Sequence, residues 1–485
     1  PARTSAPHAA SGGGGGRGGG RPRPAPPPPP PAPPPVPPPP LAPAPSPQPG
    51  ARESESLRVT LHGPDWDWLE SRWTFGGGET FFEFPGGLTY EEFRRNPRMG
   101  RGTDFAEIES WEGRQLLEVE LGEWELGSVL SWREEERMLV FGDFFYDQSL
   151  ESWDGEWVVR REGEKFDVEA GVRWRRESLR TVRESRTGVF LQDAELVRMS
   201  GAVFAIGEWD LGGGFAFRQG VSAEGSELEA ESVGRVRDDN YDESDRVGEW
   251  AAETALEWKG EGLRSWVRYE RVYRFPLLDE IAGYQGAILP VAFNRDLGPE
   301  RGHGMEWGFE GDWGEWEVGG TVFGTWLEGE IGFDGALNVN LAETERFGGE
   351  VWVDWERDWL RAGLRYGWTE ARFRDGVNEG KDLPLVPQHA LTGHVEAEVL
   401  EGLKLRGGGG FWSDSFQADD FENVRREIPE RVVFNLGLSW ALREDWTVFA
   451  RVSNVLDRAS ARYAAEGLFY PAAGRQWVLG ARMEF

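Results

Sequence analysis

Arg475-Gln476-Trp477-Val478-Leu479-Gly480-Ala481-Arg482-Met483-Glu484-Phe485 closes the chain. Trp477, Leu479, Ala481, Met483 and Phe485 fall on one face of an extended strand, and Gln476, Gly480, Arg482 and Glu484 fall on the other. A strand that is apolar on one side, charged on the other and ends on a bare Phe suits a sheet between lipid and a polar lumen. The pattern recurs upstream. Phe166, Val168, Ala170, Val172 and Trp174 oppose Asp167, Glu169, Arg173 and Arg175. Phe347, Gly349, Val351, Val353 and Trp355 oppose Glu350, Trp352 and Asp354, and Leu360, Ala362, Leu364, Tyr366 and Trp368 oppose Arg361 and Arg365. Val432–Trp440 and Trp446–Val452 repeat it, with Asn435, Ser439, Thr447 and Arg451 on the polar side. A soluble sandwich turns its charged faces to water and its apolar faces to each other. Eight or more strands of this kind in series therefore read as an all-β chain, a transmembrane antiparallel β-barrel.

Composition agrees. The chain holds 25 Trp, 28 Phe and 9 Tyr, yet its mean hydropathy is −0.54 and no run approaches the ~18 apolar residues of a transmembrane helix. Alternation hides a barrel's hydrophobicity, and the Trp load fits aromatic girdles at two membrane interfaces. The absence of Cys removes disulfides, thiolate metal sites and cysteine nucleophiles together. Net charge is −32, and residues 1–50 carry Arg3, Arg17, Arg21 and Arg23 without an acid, which leaves −36 for residues 51–485. So acidic a chain excludes nucleic acid as a partner, because phosphate contacts need clustered Lys and Arg.

Other chemistry is hard to assemble. The five histidines show no ligand spacing, and His389 and His394 fall on opposite faces of a strand. The acidic run Asp238–Asp245 lacks the Gly turn and terminal Glu of a calcium loop, and reads as a solvated loop. No nucleophile–His–acid arrangement and no nucleotide-binding glycine motif stands out. The chain is expected to be no enzyme, to hold no metal and to need no cofactor. Gly212-Gly213-Gly214 reads as relief of crowding within a strand.

Residues 1–56 are a low-complexity Pro/Gly-rich segment, expected to be disordered with its proline part extended as polyproline II. They contain no signal-peptide apolar core. Residues 57–485 are expected to form the barrel, with eighteen to twenty-two strands; strands of ~10 residues would make it about 22.

The middle of the chain resembles a known family. Tyr273-Arg274-Phe275-Pro276-Leu277-Leu278-Asp279-Glu280 precedes Tyr284, then Phe293-Asn294-Arg295-Asp296-Leu297-Gly298-Pro299-Glu300 and Glu306-Trp307-Gly308-Phe309. This order is similar to the R-x-P-x-x-D-E segment, loop and N-x-x-L-x-P-E return of TonB-dependent outer-membrane receptors. Glu370–Gly376 with Gly380–His389, Val452-Ser453-Asn454-Val455-Leu456-Asp457-Arg458, and Gly474-Arg475 leading to Phe485 resemble later parts of the same family. The resemblance spans residues 273–485 and continues by alternation back to about Trp66. One departure stands against it: family members carry an N-terminal plug domain of roughly 130 residues within a barrel that depends on a filled lumen. Nothing before residue 66 reads as that plug, so the expectation is a barrel portion without it.

The resemblance implies a monomeric receptor in the bacterial outer membrane, surrounded by outer-membrane lipid. It would take up a ferric siderophore or another metal chelate, with a TonB complex as partner only where a plug exists. A plugless passive pore, or a truncated fragment that does not transport, is the alternative. Short turns should face the periplasm, and Phe84–Arg114, Gly220–Arg246, Pro276–Arg301, Phe373–Pro387, Ser413–Glu430 and Asp457–Gly474 should be extracellular loops. Loops carry binding. Ligand-contact candidates there are Tyr284, Gln285 and Asn294, then Trp412, Phe416, Arg425 and Arg426, then Tyr463, Phe469 and Tyr470. Aromatics stack on planar chelates and Arg pairs with anionic ones. Arg274, Pro276, Asp279, Glu280, Pro299, Glu300, Asn454, Asp457 and Phe485 are read as structural positions of the family motifs.

Overall fold

The computed structural model describes residues 52–483 apart from 65, 67, 85, 100–103, 142–143, 235–240, 283–292, 295, 336 and 444. The disorder expected for residues 1–56 therefore falls almost wholly outside the described residues. The first strand begins at Arg52, ahead of the boundary expected at 57.

Nineteen strands join into one sheet among the described residues, within the range counted from the alternation. Each pairs antiparallel with the next in chain order, from Arg52–His62 through to Gln476–Met483. Alternation sets this register, because a slip of one residue would send every charge into lipid. On one face Val172, Trp153, Trp157, Val322 and Leu364 stand exposed. On the other, guanidiniums and carboxylates meet across strands. Arg160 donates to Glu125 at 2.9 Å and to Glu169 at 2.7 Å, Arg173 to Glu156 at 2.6 Å, and Arg365 lies 2.8 Å from Glu350. Arg175 pairs with Asp154 in the same way. Each solvated pair contributes little, about 0–1 kcal/mol, but together they leave few bare charges on the inner wall. This is the wall of a transmembrane antiparallel β-barrel. No helix of the described residues is long and apolar enough to cross a membrane.

Aromatic rows mark the lipid band. Trp124 and Trp132 stand on the same outward face of Trp124–Phe141, a separation of about 27 Å along the strand at ~3.4 Å per residue, or roughly 20 Å of height at the ~40° tilt of such strands, within their ~25 Å apolar band. Trp132 meets Trp153 across the strand pair at 6.0 Å between ring centroids, and Phe166 meets Trp209 at 4.9 Å. Rings of this size need room. A Cβ at Gly155 would stand 2.0 Å from the Trp174 indole, and one at Gly319 would stand 2.2 Å from Trp352. Bare backbone beneath an aromatic is thus one reason for glycine in these strands.

The two ends of the barrel differ. At one end, turns of two residues close hairpins: Gly122-Glu123, Glu261-Gly262, Gly314-Glu315, Asp358-Trp359 and Glu401-Gly402. Gly212-Gly213-Gly214 belongs to this set. It was expected inside a strand, but φ values of +78°, +66° and +83° make it a hairpin turn between Phe190–Gly212 and Phe215–Gly234. At the other end lie the long connections, residues 85–103, 275–299, 329–343, 374–388, 413–430 and 454–475. Two expected loops are partly strand. Asp104–Leu121 takes the last third of Phe84–Arg114, and Phe215–Gly234 with Tyr241–Gly260 occupies most of Gly220–Arg246. Beyond the lipid band both faces are polar, so the alternation disappears while backbone pairing continues.

Candidate functional site

The long connections pack on one another in two linked clusters. The first is built on Arg274 at the end of Leu263–Arg274. Its guanidinium donates to Glu300 at 2.9 and 2.7 Å and to Glu280 at 2.8 Å. Both carboxylates are buried and both also accept a backbone N–H at 2.7 Å, Glu280 from Leu277 and Glu300 from Ile331. Pro276, itself buried, turns the chain into the short helix Leu278–Ile281, whose first turn carries Asp279. Leu278, Ile281 and Phe293 pack on Leu179, Leu196 and Ala230 of the wall. Leu179 lies on the same side of its strand as Arg173 and Arg175, so this connection lies against the inner face. Asn294 donates its amide to the Asn338 carbonyl, and Asn338 donates to the Glu280 carbonyl at 3.2 Å. Pro299 leads into Glu300, the first residue of the returning strand.

The second cluster is built on Phe469, which is 1% exposed. Leu88, Phe93, Ile428, Ala461 and Ala464 enclose its ring. Thr89 starts the helix Tyr90–Arg95 with a capping box: Glu92 N–H donates to Thr89 Oγ1 at 3.4 Å, and Thr89 N–H donates to the Glu92 carboxylate at 3.0 Å. The hairpin Ala461–Ala465 with Leu468–Pro471 takes Leu88–Thr89 as a third strand. Asp457, at φ +52°, accepts from Arg475 N–H at 2.9 Å and from Arg98 Nη2 at 2.6 Å. Those two donors hold its carboxyl below the usual range. Asn454, at φ +49°, donates to the Arg458 carbonyl at 3.0 Å and accepts from Arg458 N–H at 3.1 Å.

Residues 413–430 fold back at Ser415 and Ile428, which exchange two backbone hydrogen bonds of 3.2 and 2.8 Å. Gln417 ties this segment to its neighbour, donating to the Arg426 carbonyl at 2.6 Å and accepting from Gly467 N–H at 3.0 Å. Leu385 N–H donates to the Phe416 carbonyl at 3.0 Å. Arg425 pairs with Asp419 at 2.7 Å. Arg426 lies 4.0 Å over the Tyr90 ring, and Arg431 lies 4.0 Å over Trp412. Tyr463 and Tyr470 stand 5.4 Å apart, and burial pushes both phenols up. A hydrogen bond to Asp414 raises the Glu427 carboxyl. Phe373 and Leu383 pack with Leu341 and Phe421 as a third apolar cluster, and these packed loops together form a collar at this end.

The collar thus brings together Phe416, Arg425 and Arg426 from one loop, Tyr463, Phe469 and Tyr470 from another, and Trp412 from the end of the strand Leu403–Trp412. Within it Phe469 is wholly enclosed and Arg425 is tied to Asp419. Asn294 stands apart from this group, in the Arg274 cluster. Tyr284, Gln285 and Phe485 lie outside the described residues. Three residues not singled out in the sequence belong here: Tyr90, Arg431 and Arg462. Tyr90 was legible through its Thr89-x-x-Glu92 capping box; Arg431 meets Trp412 only through strand register. Among the described residues, no group of three or more His, Asp or Glu is placed to hold a metal ion.

A family model described as TonB dependent receptor-like, beta-barrel, matches residues 4–455. The chain belongs to that family. Barrels of this kind are outer-membrane proteins in bacteria, and the family is one of transport receptors, not enzymes. No curated protein matches the chain. Among solved structures, the ferric yersiniabactin uptake receptor FyuA from Yersinia pestis is similar at 15% identity, with a TM-score of 0.77, covering 92% of this chain and 74% of that one. The ferric-catecholate import receptor Fiu from E. coli K12 is similar at 13% identity and TM-score 0.74, covering 90% and 75%. The copper transporter OprC is similar at 10% identity and TM-score 0.73, covering 91% and 74%. At these identities the likeness is one of fold, shared by proteins whose cargoes differ. This TonB-dependent receptor barrel resembles siderophore and metal transporters without naming its own cargo.

Proposed function

We propose that this barrel is the outer-membrane part of a monomeric receptor that takes up a ferric siderophore or similar metal chelate, energised by a TonB complex acting through a plug domain. The observation that carries the reading is the collar: on a barrel of this family, one end holds packed loops that carry aromatic and guanidinium groups in contact. Trp412, Phe416, Arg426, Tyr463 and Tyr470 are its ligand-contacting members, through ring stacking and charge-assisted hydrogen bonds. Arg274, Glu280 and Glu300 shape the loop return instead of touching ligand, since Arg274 already engages both carboxylates.

The test is uptake of radiolabelled iron by iron-starved bacteria that produce the receptor in place of their own. Accumulation that depends on a ferric chelate and stops when the TonB complex is removed supports the reading. Entry that persists without the TonB complex and rises linearly with concentration would show a passive pore, the competing class.

A further inference from the structure

We infer that Arg431, Arg462 and Trp412 form an anion seat in the collar, which makes the receptor selective for metal chelates of net negative charge; this rests on the uptake reading above. The inner wall sets the contrast. Arg160, Arg173, Arg175, Arg365 and Arg406 each meet a carboxylate across the strands. Arg431 shares the polar face of its strand with Asn435 and Ser439, yet it meets no carboxylate among the described residues. Its Nε is buried without a hydrogen-bond partner. Its charged neighbour is Arg462, like in sign, on the facing hairpin Ala461–Ala465. Arg462 is exposed and also has no carboxylate partner among the described residues.

In a chain with 85 acidic and 53 basic residues, a neighbouring pair of guanidiniums without an acid is a conspicuous arrangement. Adjacent like charges repel, and an anion placed between them converts that repulsion into attraction. The Trp412 ring, 4.0 Å from the Arg431 guanidinium carbon, positions that charge, and its terminal N–H groups are the ones left for an acceptor. That geometry suits carboxylate or catecholate oxygens taken two at a time. Arg426 over Tyr90 repeats the stacked arrangement on the adjoining loop. A neutral chelate forgoes the charge term, and a bare cation is repelled.

The experiment titrates the detergent-folded receptor by quenching of Trp fluorescence. Four probes serve: ferric dicitrate, a ferric tris-catecholate, a neutral ferric tris-hydroxamate and aqueous Cu²⁺. The two anionic chelates are expected to bind, more weakly as salt rises. Arg431→Gln and Arg462→Gln should each weaken them by about tenfold, while Arg431→Lys loses less. Unchanged heat-modifiable mobility on gels shows that the variants still fold. Binding of the neutral chelate or of Cu²⁺ as tight as that of the anions, or anion binding indifferent to both Gln variants, overturns the seat and leaves the uptake reading standing. Binding of no probe at all overturns both.

Discussion

Wall strands between Asp104 and Gly260 run 18 to 23 residues, whereas those between Glu300 and Met483 run 8 to 14. Both halves cross the same lipid band, which needs only about 9–11 residues per strand. The first half puts its surplus into paired strand above the membrane and joins it with short turns. The second half puts its surplus into loops. Paired strand is stiff, since each added residue is bonded on both sides; loops are ordered only by what they pack on. This division assigns the roles. The tall wall supplies a fixed surface at Leu179, Leu196 and Ala230. The short-strand half, with the connection after Phe84, supplies the adaptable collar that holds Trp412, Phe416, Arg426, Tyr463 and Tyr470.

Breaking the Arg274 clasp should have the largest effect. Arg274→Ala leaves Glu280 and Glu300 buried at 5% and 6% exposure without their cation, a cost of about 3–5 kcal/mol. Limited proteolysis should then cut within 275–299 and spare the tall wall. Arg58→Ala, which removes an exposed pair with Glu112, should cost about 0–1 kcal/mol and serves as the control.

Phe469→Ala empties the centre of the second cluster, at about 3–5 kcal/mol. Cutting within 413–430 and 454–475 should rise together, because one ring holds both. Equal exposure of 215–260 would show that the two halves are not mechanically separate. Leu196→Ala, at about 2–5 kcal/mol, sharpens the boundary from the other side. It should loosen the helix Leu278–Ile281 while Phe469 and its neighbours keep their hydrogen-exchange protection.

Acid gives the smallest and most local effect. The Asp457 carboxyl is lowered in the folded protein by Arg475 N–H and Arg98, so its contribution is complete above the ordinary carboxylate range. It is lost as pH falls through the lowered value. Glu427 is raised by its hydrogen bond to Asp414, so its contribution is complete below the ordinary range and fades as pH climbs through the raised value. Amide exchange at neutral and acid pH should therefore loosen 454–475 on acidification while tightening the ends of 413–430. Parallel movement of both loops would contradict those assignments.

The lipid-facing wall was legible because lipid forces alternation at period two, as in Phe166–Trp174 and Leu360–Trp368. Above the lipid that force vanishes. Strand in Gly220–Arg246 therefore looked like loop, and Gly212-Gly213-Gly214 looked like strand although its backbone turns. The Arg274, Glu280 and Glu300 positions were visible as a motif, but their meeting depends on residues far apart in sequence. The collar was half legible: Trp412, Arg426, Tyr463 and Tyr470 announce themselves by chemistry. Arg431 does not, because its significance lies in an absent carboxylate and a ring across the strand pair. Phe469 has the same composition signal as a binding aromatic, and only burial distinguishes it.

The most direct test of the division of labour is hydrogen exchange of the folded receptor with and without saturating ferric dicitrate or a ferric tris-catecholate. The account predicts new protection in 85–99, 413–430 and 454–475, with 166–260 unchanged because its strands are already paired. Protection that appears chiefly in the tall strands, with the three loops unaltered, would contradict it.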